Sequence, residues 1–173
     1  MKTKNMVSVS LFAVLTAAGA LIVVPVPFSP VPITLQTMFT ILAGAILGKK
    51  LGMFSQLVYI LMGVAGLPVF SKGGSGIGVL FGPTGGYIIG FVLAAYVCGL
   101  LVEKGYDLIG MVSGIVLIYI TGIIQLKYVL GLIWLKAFAV GVFPFIPGAV
   151  IKIVIALAVY RKLKKTGIPG TVL

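Results

Sequence analysis

The stretch ITLQTMFTILAGAILGKKLGMFSQLVYILMGVA, residues 33–65, decides the architecture of this chain. It is two apolar runs, 33–47 and 51–65, joined by Gly48-Lys49-Lys50 and closed by Gly66-Leu67-Pro68. Neither run carries an ionised side chain, whereas a soluble helix of that length needs a polar face. Two basic residues at the join mark a place where the chain meets water and turns back. The same grammar extends in both directions: helix one over 7–24, ending at Pro25; helix four over 84–102, ending at Glu103-Lys104; helix five over 108–126; a short partial or interfacial segment over 130–140; and helix six over 145–163. Six spans fill the chain, so residues 1–173 form a single transmembrane domain and leave no room for a soluble one. The apolar stretch near the N-terminus continues too far for a secretory signal and is expected to remain as the first helix.

Composition supports this. Of 173 residues 61% are hydrophobic and 9% charged, whereas a soluble domain is about a quarter charged. The net charge of +11 is spread in short clusters between apolar runs, without the continuous basic face or aromatic interleaving of a nucleic-acid binder. No histidine and one cysteine, Cys98, argue against a metal site and exclude an intramolecular disulfide.

Basic residues also orient the spans. Lys2, Lys4, Lys49, Lys50, Lys104, Arg161, Lys162, Lys164 and Lys165 fall on one side; Lys72, Lys127 and Lys136 fall on the other. By the positive-inside rule both termini are expected in the cytoplasm. Small residues recur at helical spacing, as at Ala13/Ala17 and Gly44/Gly48/Gly52, which favours close helix approach in lipid. Helix one, with a thin alanine face, also offers a surface for another membrane subunit.

Lys152 stands apart, about two turns inside helix six. A lysine at membrane depth costs on the order of 2.5–3.5 kcal/mol. The two acids of the chain, Glu103 and Asp107, fall on the cytoplasmic side and cannot neutralise it. Either it snorkels to the interface, or it pairs with carbonyls and water, or an anion comes from outside. A carboxylate ligand accounts best for the missing counter-ion. The outward loop from Pro25 to Pro32 is uncharged and stiffened by four prolines, and is expected to fold as a lid with Phe28 as an apolar contact. In the second outward loop, which holds Phe70 and Gly74, glycines permit close backbone approach to a ligand. Helix four opens at Gly82-Pro83-Thr84-Gly85-Gly86-Tyr87, an N-terminus suited to ligand carbonyls or anions. Tyr87, Thr34, Gln36 and Tyr119 are candidate hydrogen-bonding groups.

No energy source is visible. Gly44-Ala45-Ile46-Leu47-Gly48-Lys49-Lys50 is one residue short of a phosphate-binding loop and lacks its terminal Ser/Thr, and no membrane-embedded acid forms a proton or sodium relay. Uphill transport would draw its power from a partner. A desolvated Lys152 acting as a nucleophile lacks any acid, histidine or metal to work with, so no enzyme is expected. A structural or channel-like protein without a specific ligand is the remaining alternative.

The sequence resembles BioY, the biotin-specific substrate-binding (S) component of energy-coupling factor transporters. The resemblance rests on residues 29–37, on Leu42-Ala43-Gly44 through Leu47-Gly48, on Gly63, on Gly66-Leu67-Pro68-Val69-Phe70, on residues 82–87, and on Pro144 through Lys152. Membership implies an all-α integral membrane protein of six helices, an outer pocket under an extracellular loop lid, and biotin as the ligand with no cofactor. It further implies a bacterial plasma membrane and partners comprising a transmembrane coupling protein and two ABC ATPases. Ala13 and Ala17 match the Ala-xxx-Ala pattern by which S components dock on the coupling subunit. One departure stands out. The family pattern Pro-Gly-Asp-x-x-Lys contributes its Asp and Lys to the site, and here Ala149 replaces the Asp while Lys152 is kept. Loss of that acceptor would cost about 1.5–3 kcal/mol. Three accounts fit: another group satisfies the ureido ring, the chain is a weakened or engineered variant, or its ligand is a carboxylate without a ureido ring, such as lipoate.

Overall fold

Pro25 sets the first boundary, because a proline has no amide to donate and pushes the residue before it out of helical geometry. In the computed structural model, which describes residues 3–166, α1 (Thr3–Leu21) ends four residues before it. Val23–Val24 (β1) then pairs antiparallel with Ile33–Thr34 (β2), Val23 opposite Thr34 and Val24 opposite Ile33. The expected helix ends at 24 and 33 are corrected accordingly. The two ends of the proline-rich loop satisfy each other's backbone groups, and the next helix starts only at Gln36.

α2 (Gln36–Val64) reverses direction in its middle. Gly48 has φ 80° and ψ 173°, a region open essentially to glycine alone. Thr40 Oγ1 donates to Gln56 Oε1 at 3.2 Å, and the Gln36 amide donates to the Tyr59 hydroxyl. A Cβ on Gly52 would lie 2.7 Å from the Gly44 Cα. These pairs mirror one another about residue 48, so the two limbs form an antiparallel helical hairpin. The apolar runs 33–47 and 51–65 are its limbs.

Beyond the hairpin come a single 3₁₀ turn at Ser71–Gly73, α3 (Gly78–Phe81), α4 (Gly85–Glu103), α5 (Asp107–Leu130), α6 (Trp134–Gly141), a second 3₁₀ turn at Phe143–Phe145, and α7 (Ile146–Lys165). α5 runs a turn past the expected end at 126. Gly131, at φ 62°, takes the left-handed cap and returns its N–H to Lys127 O. Among the described residues five helical stretches are long and apolar enough to cross a membrane: α1, α2, α4, α5, and Trp134–Lys165, which joins α6 to α7.

Small residues bring the central helices together. A Cβ on Gly110 would lie 2.8 Å from Cys98 O, and one on Gly114 would lie 3.0 Å from the Ile41 side chain, so α5 packs tightly on α4 and the hairpin. Dispersion at such contacts is the main attraction between helices in lipid. The hairpin tip meets the end of α4: Lys49 Nζ lies 2.8 Å from Glu103 Oε2, and Lys49 N donates to Glu103 Oε1 at 2.9 Å. α7 runs in the same direction as the first hairpin limb, since Lys152 meets Thr37 near its start. α1 also runs alongside, with Gln56 Nε2 donating to Thr16 Oγ1 and Leu35 N donating to Gly19 O. Lys4, Lys49, Lys50, Lys104 and the basic end of α7 therefore gather at one end of the bundle. Lys2 lies outside the described residues.

Candidate functional site

At the opposite end, the β1–β2 ribbon, the hairpin entry, the start of α4 and the upper part of α7 leave a cavity. Its empty space, with the open mouth counted in, comes to about 550 Å³. Val31, Pro32 and Ile33 of the proline-rich loop and β2 form one wall; Thr84, Tyr87, Ile88 and Phe91 of α4 form another. Tyr119, Phe145, Ser71 and Lys152 complete it, with Thr34, Gln36 and Thr37 at the entry to α2. Thr84, Ile88 and Phe91 are spaced to fall on one helical face, so α4 presents a mostly apolar surface.

Lys152 is the charged residue of this wall. It is 9% exposed, and its Nζ donates to Thr37 Oγ1 at 3.1 Å. Snorkelling is ruled out by that burial. Among the described residues the ion pair is Lys49–Glu103, and Asp107 opens α5 at the basic end. Among the described residues no carboxylate therefore pairs with Lys152, and two of its three N–H donors have no partner there.

Most other polar groups of the wall are spent on the protein itself. Thr34 Oγ1 donates to Gln36 Oε1 at 2.9 Å, and the Gln36 amide donates to Tyr59, whose hydroxyl donates to Val69 O at 3.1 Å. This chain fixes the entry to α2 against the second hairpin limb. Tyr87 donates to Gly141 O at 2.8 Å, and Tyr119 donates to Phe145 O at 3.4 Å. Both hydroxyls thus spend their proton on backbone carbonyls of the protein. The proline-rich loop is clasped over the same region: Ser29 Oγ donates to Val140 O at 2.6 Å and accepts from Val31 N at 3.1 Å.

Of the residues singled out from sequence, the cavity brings together Lys152, Tyr87, Tyr119, Thr34 and Gln36. The others sit elsewhere. Ala149 is buried one turn before Lys152 and offers only a methyl. Phe70 is fully buried, packed edge-on against Tyr59 at 5.6 Å and over Gly63. Gly74 bridges back to Phe70 behind the wall. Gly85 and Gly86 face Leu80, Thr121 and Gln125, so their missing side chains serve helix contact. Phe28 is 66% exposed on the outside of its loop. Of the residues expected to dock a coupling subunit, Ala13 is fully buried within the bundle and Ala17 is half-buried. The exposed stripe of α1 is Val7, Leu11, Val14 and Leu21. Sequence reasoning missed Thr37, Ser71, Thr84, Ile88, Phe91 and Phe145 as wall residues. The spacing of Thr84, Ile88 and Phe91 was the available signal.

The family described as BioY matches residues 1–168. Over 164 residues the chain is 42% identical to the probable biotin transporter BioY of Pyrococcus horikoshii, covering 95% of this chain and 98% of that one. It is 40% identical over 166 residues to the biotin transporter BioY of Thermotoga maritima, covering 94% and 96%. Its fold superposes on the crystal structure of an S component for biotin from an ECF-type ABC transporter with a TM-score of 0.89, at 28% identity, covering 96% of this chain and 93% of that one.

Proposed function

Because this chain belongs to the BioY family, we propose that it binds biotin in the cavity beneath the proline-rich loop and works as the S component of an energy-coupling factor uptake system. The observation that carries this reading is Lys152, a buried ammonium whose partner among the described residues is the Thr37 hydroxyl and which no carboxylate of those residues pairs with. An apolar slot with a cation at one place suits an acid with a long apolar body. Biotin has that shape, its carboxylate pairing with Lys152 and its ring and chain lying against Phe91, Ile88 and the two tyrosines.

Counting the hairpin limbs separately gives six spans in a single domain. Among the described residues, eight basic side chains at one end against three at the other favour termini in the cytoplasm and a cavity toward the outside. The Ser29 clasp on Val140 supports the proline-rich loop as an extracellular lid. With no embedded acid and no nucleotide loop, uptake takes its energy from partners, a transmembrane coupling protein with two ABC ATPases in a bacterial plasma membrane. The likeness to transporter components supports a binding role without catalysis.

Ala149 favours one alternative within the same class, a carboxylate lacking the ureido ring, such as lipoate, since the methyl accepts no hydrogen bond. Titration of the detergent-solubilised chain with labelled biotin, with dethiobiotin and lipoate as competitors, separates the two. Stoichiometric biotin binding without turnover, displaced by dethiobiotin, supports biotin. Preferential displacement by lipoate supports the alternative, and no saturable binding of either removes the proposal.

A further inference from the structure

Three buried side-chain polar atoms have no hydrogen-bond partner among the described residues: Ser71 Oγ, Asp107 Oδ1 and the Tyr160 hydroxyl. Ser71 is the one that lines the cavity. A buried hydroxyl left without a partner is unfavourable, so its position asks for a reason. The loop that carries it is firmly built. Phe70, immediately before it, is fully buried on Gly63 and Tyr59, and Phe70 N donates to Gly74 O at 3.0 Å. Gly76 N donates to Gly63 O at 2.7 Å. Lys72, immediately after, is held at φ 60° and ψ 27°, a left-handed conformation uncommon for a side-chain-bearing residue. The turn thus fixes the Ser71 backbone at the cavity wall.

Thr34, Tyr87 and Tyr119 spend their hydroxyl protons on the protein, and Gln36 spends one of its two amide N–H groups there. We infer that Ser71 is a specificity-determining residue, its hydroxyl hydrogen-bonding the ureido ring of the ligand while Lys152 holds the carboxylate. A hydroxyl both donates and accepts, and so matches a cyclic urea, which offers N–H and C=O together. This rests on biotin being the ligand, and it supplies a neutral partner for the ring that Ala149 does not.

The test compares wild-type protein with Ser71→Ala, using labelled biotin and competition by biotin amide, which keeps the ring and lacks the charge. Saturable binding of biotin by the wild type checks the ligand itself, independently of Ser71. Ser71→Ala should weaken biotin about five- to tenfold and weaken the amide by the same factor. Thermal unfolding of the ligand-free variant should match or exceed wild type, because an unpartnered hydroxyl has been removed. Binding within twofold of wild type overturns the inference, as does a penalty that disappears with the amide. A fall in ligand-free stability with equal loss of both ligands marks Ser71 as structural and also overturns it.

Discussion

Gln36 and Tyr59, 23 positions apart, are hydrogen-bonded between the two limbs of the helical hairpin. In an uninterrupted helix they would be roughly 35 Å apart. The bond exists because Gly48 turns the chain back on itself, so one glycine positions both the entry to α2 and the limb that braces it. Gly48→Ala forces a Cβ into a conformation with φ 80° and is expected to cost about 1–3 kcal/mol. The measurement is the unfolding midpoint in detergent, with Gly44→Ala as the comparison for pure crowding at the Ala95 contact. A Gly48→Ala protein as stable as wild type would show that the reversal does not need that backbone geometry.

Lys152→Met keeps the length of the side chain and removes its charge. A buried charge replaced by an apolar side chain of similar size is often neutral or stabilising, so the ligand-free protein should unfold at the same temperature or higher. Biotin affinity should fall tenfold to more than a hundredfold, the loss of a charge-assisted hydrogen bond worth about 1.5–3 kcal/mol. Thr37→Val, which removes the hydroxyl accepting from Nζ at 3.1 Å, should weaken binding by a smaller factor because the ammonium remains. Unchanged affinity in Lys152→Met would sink the assignment of the carboxylate.

Lys152 was legible in the sequence because a cation inside an apolar run has no ordinary place in lipid. The hairpin limbs were legible because Lys49-Lys50 interrupts two runs with no charge of their own. Thr37 and Ser71 were not. Hydroxyls in apolar helices commonly bond back to their own helix, as Thr16 does to Phe12 O at 2.9 Å and Thr121 to Leu117 O at 2.9 Å, and nothing local tells Thr37 from Thr16. The helix ends at Leu21 and Gln36 were misplaced for a related reason. They depend on β1 meeting β2, a pairing between loop ends that local propensity does not report.

Ser29 and Tyr87 donate to the adjacent carbonyls of Val140 and Gly141 at the end of α6. These are late carbonyls of a helix, which need outside donors, and one short helix therefore fastens both the proline-rich loop and the cavity wall. Ser29→Ala should speed biotin release several-fold in stopped-flow exchange, with equilibrium stability changed by about 0.5–1.5 kcal/mol. Tyr87→Phe should do the same through the other carbonyl. Because the two act on one helix, the double variant should depart from additivity. Strict additivity in release rates would mean the two bonds hold independent parts.

Gly63 faces the Phe70 ring so closely that an added methyl would overlap it. Gly63→Ala is expected to displace Phe70 and to cost about 1–3 kcal/mol by overpacking. The Ser71 turn would move with it, so biotin affinity should drop as well. Gly63→Ala combined with Phe70→Leu should recover part of both losses, since the smaller side chain makes room. Failure of the pair to recover either would place the cost in the hairpin limb rather than in the loop.

Orientation follows from charge, and it is open to a direct check because Cys98 is fully buried and should not react on intact protein. Lys72→Cys sits on the loop between the hairpin and α4, at the cavity end, whereas Lys50→Cys sits at the hairpin tip beside the Lys49–Glu103 pair. In whole cells a membrane-impermeant maleimide should label Lys72→Cys directly and Lys50→Cys only after permeabilisation. The positive-inside bias counts the lysines and arginines within short loops and span ends, and Lys50, Lys104 and the end of α7 all weigh the same way. Labelling of Lys50→Cys from outside would invert the protein and turn the cavity toward the cytoplasm. Lys152 would then meet its anion from the wrong side for uptake.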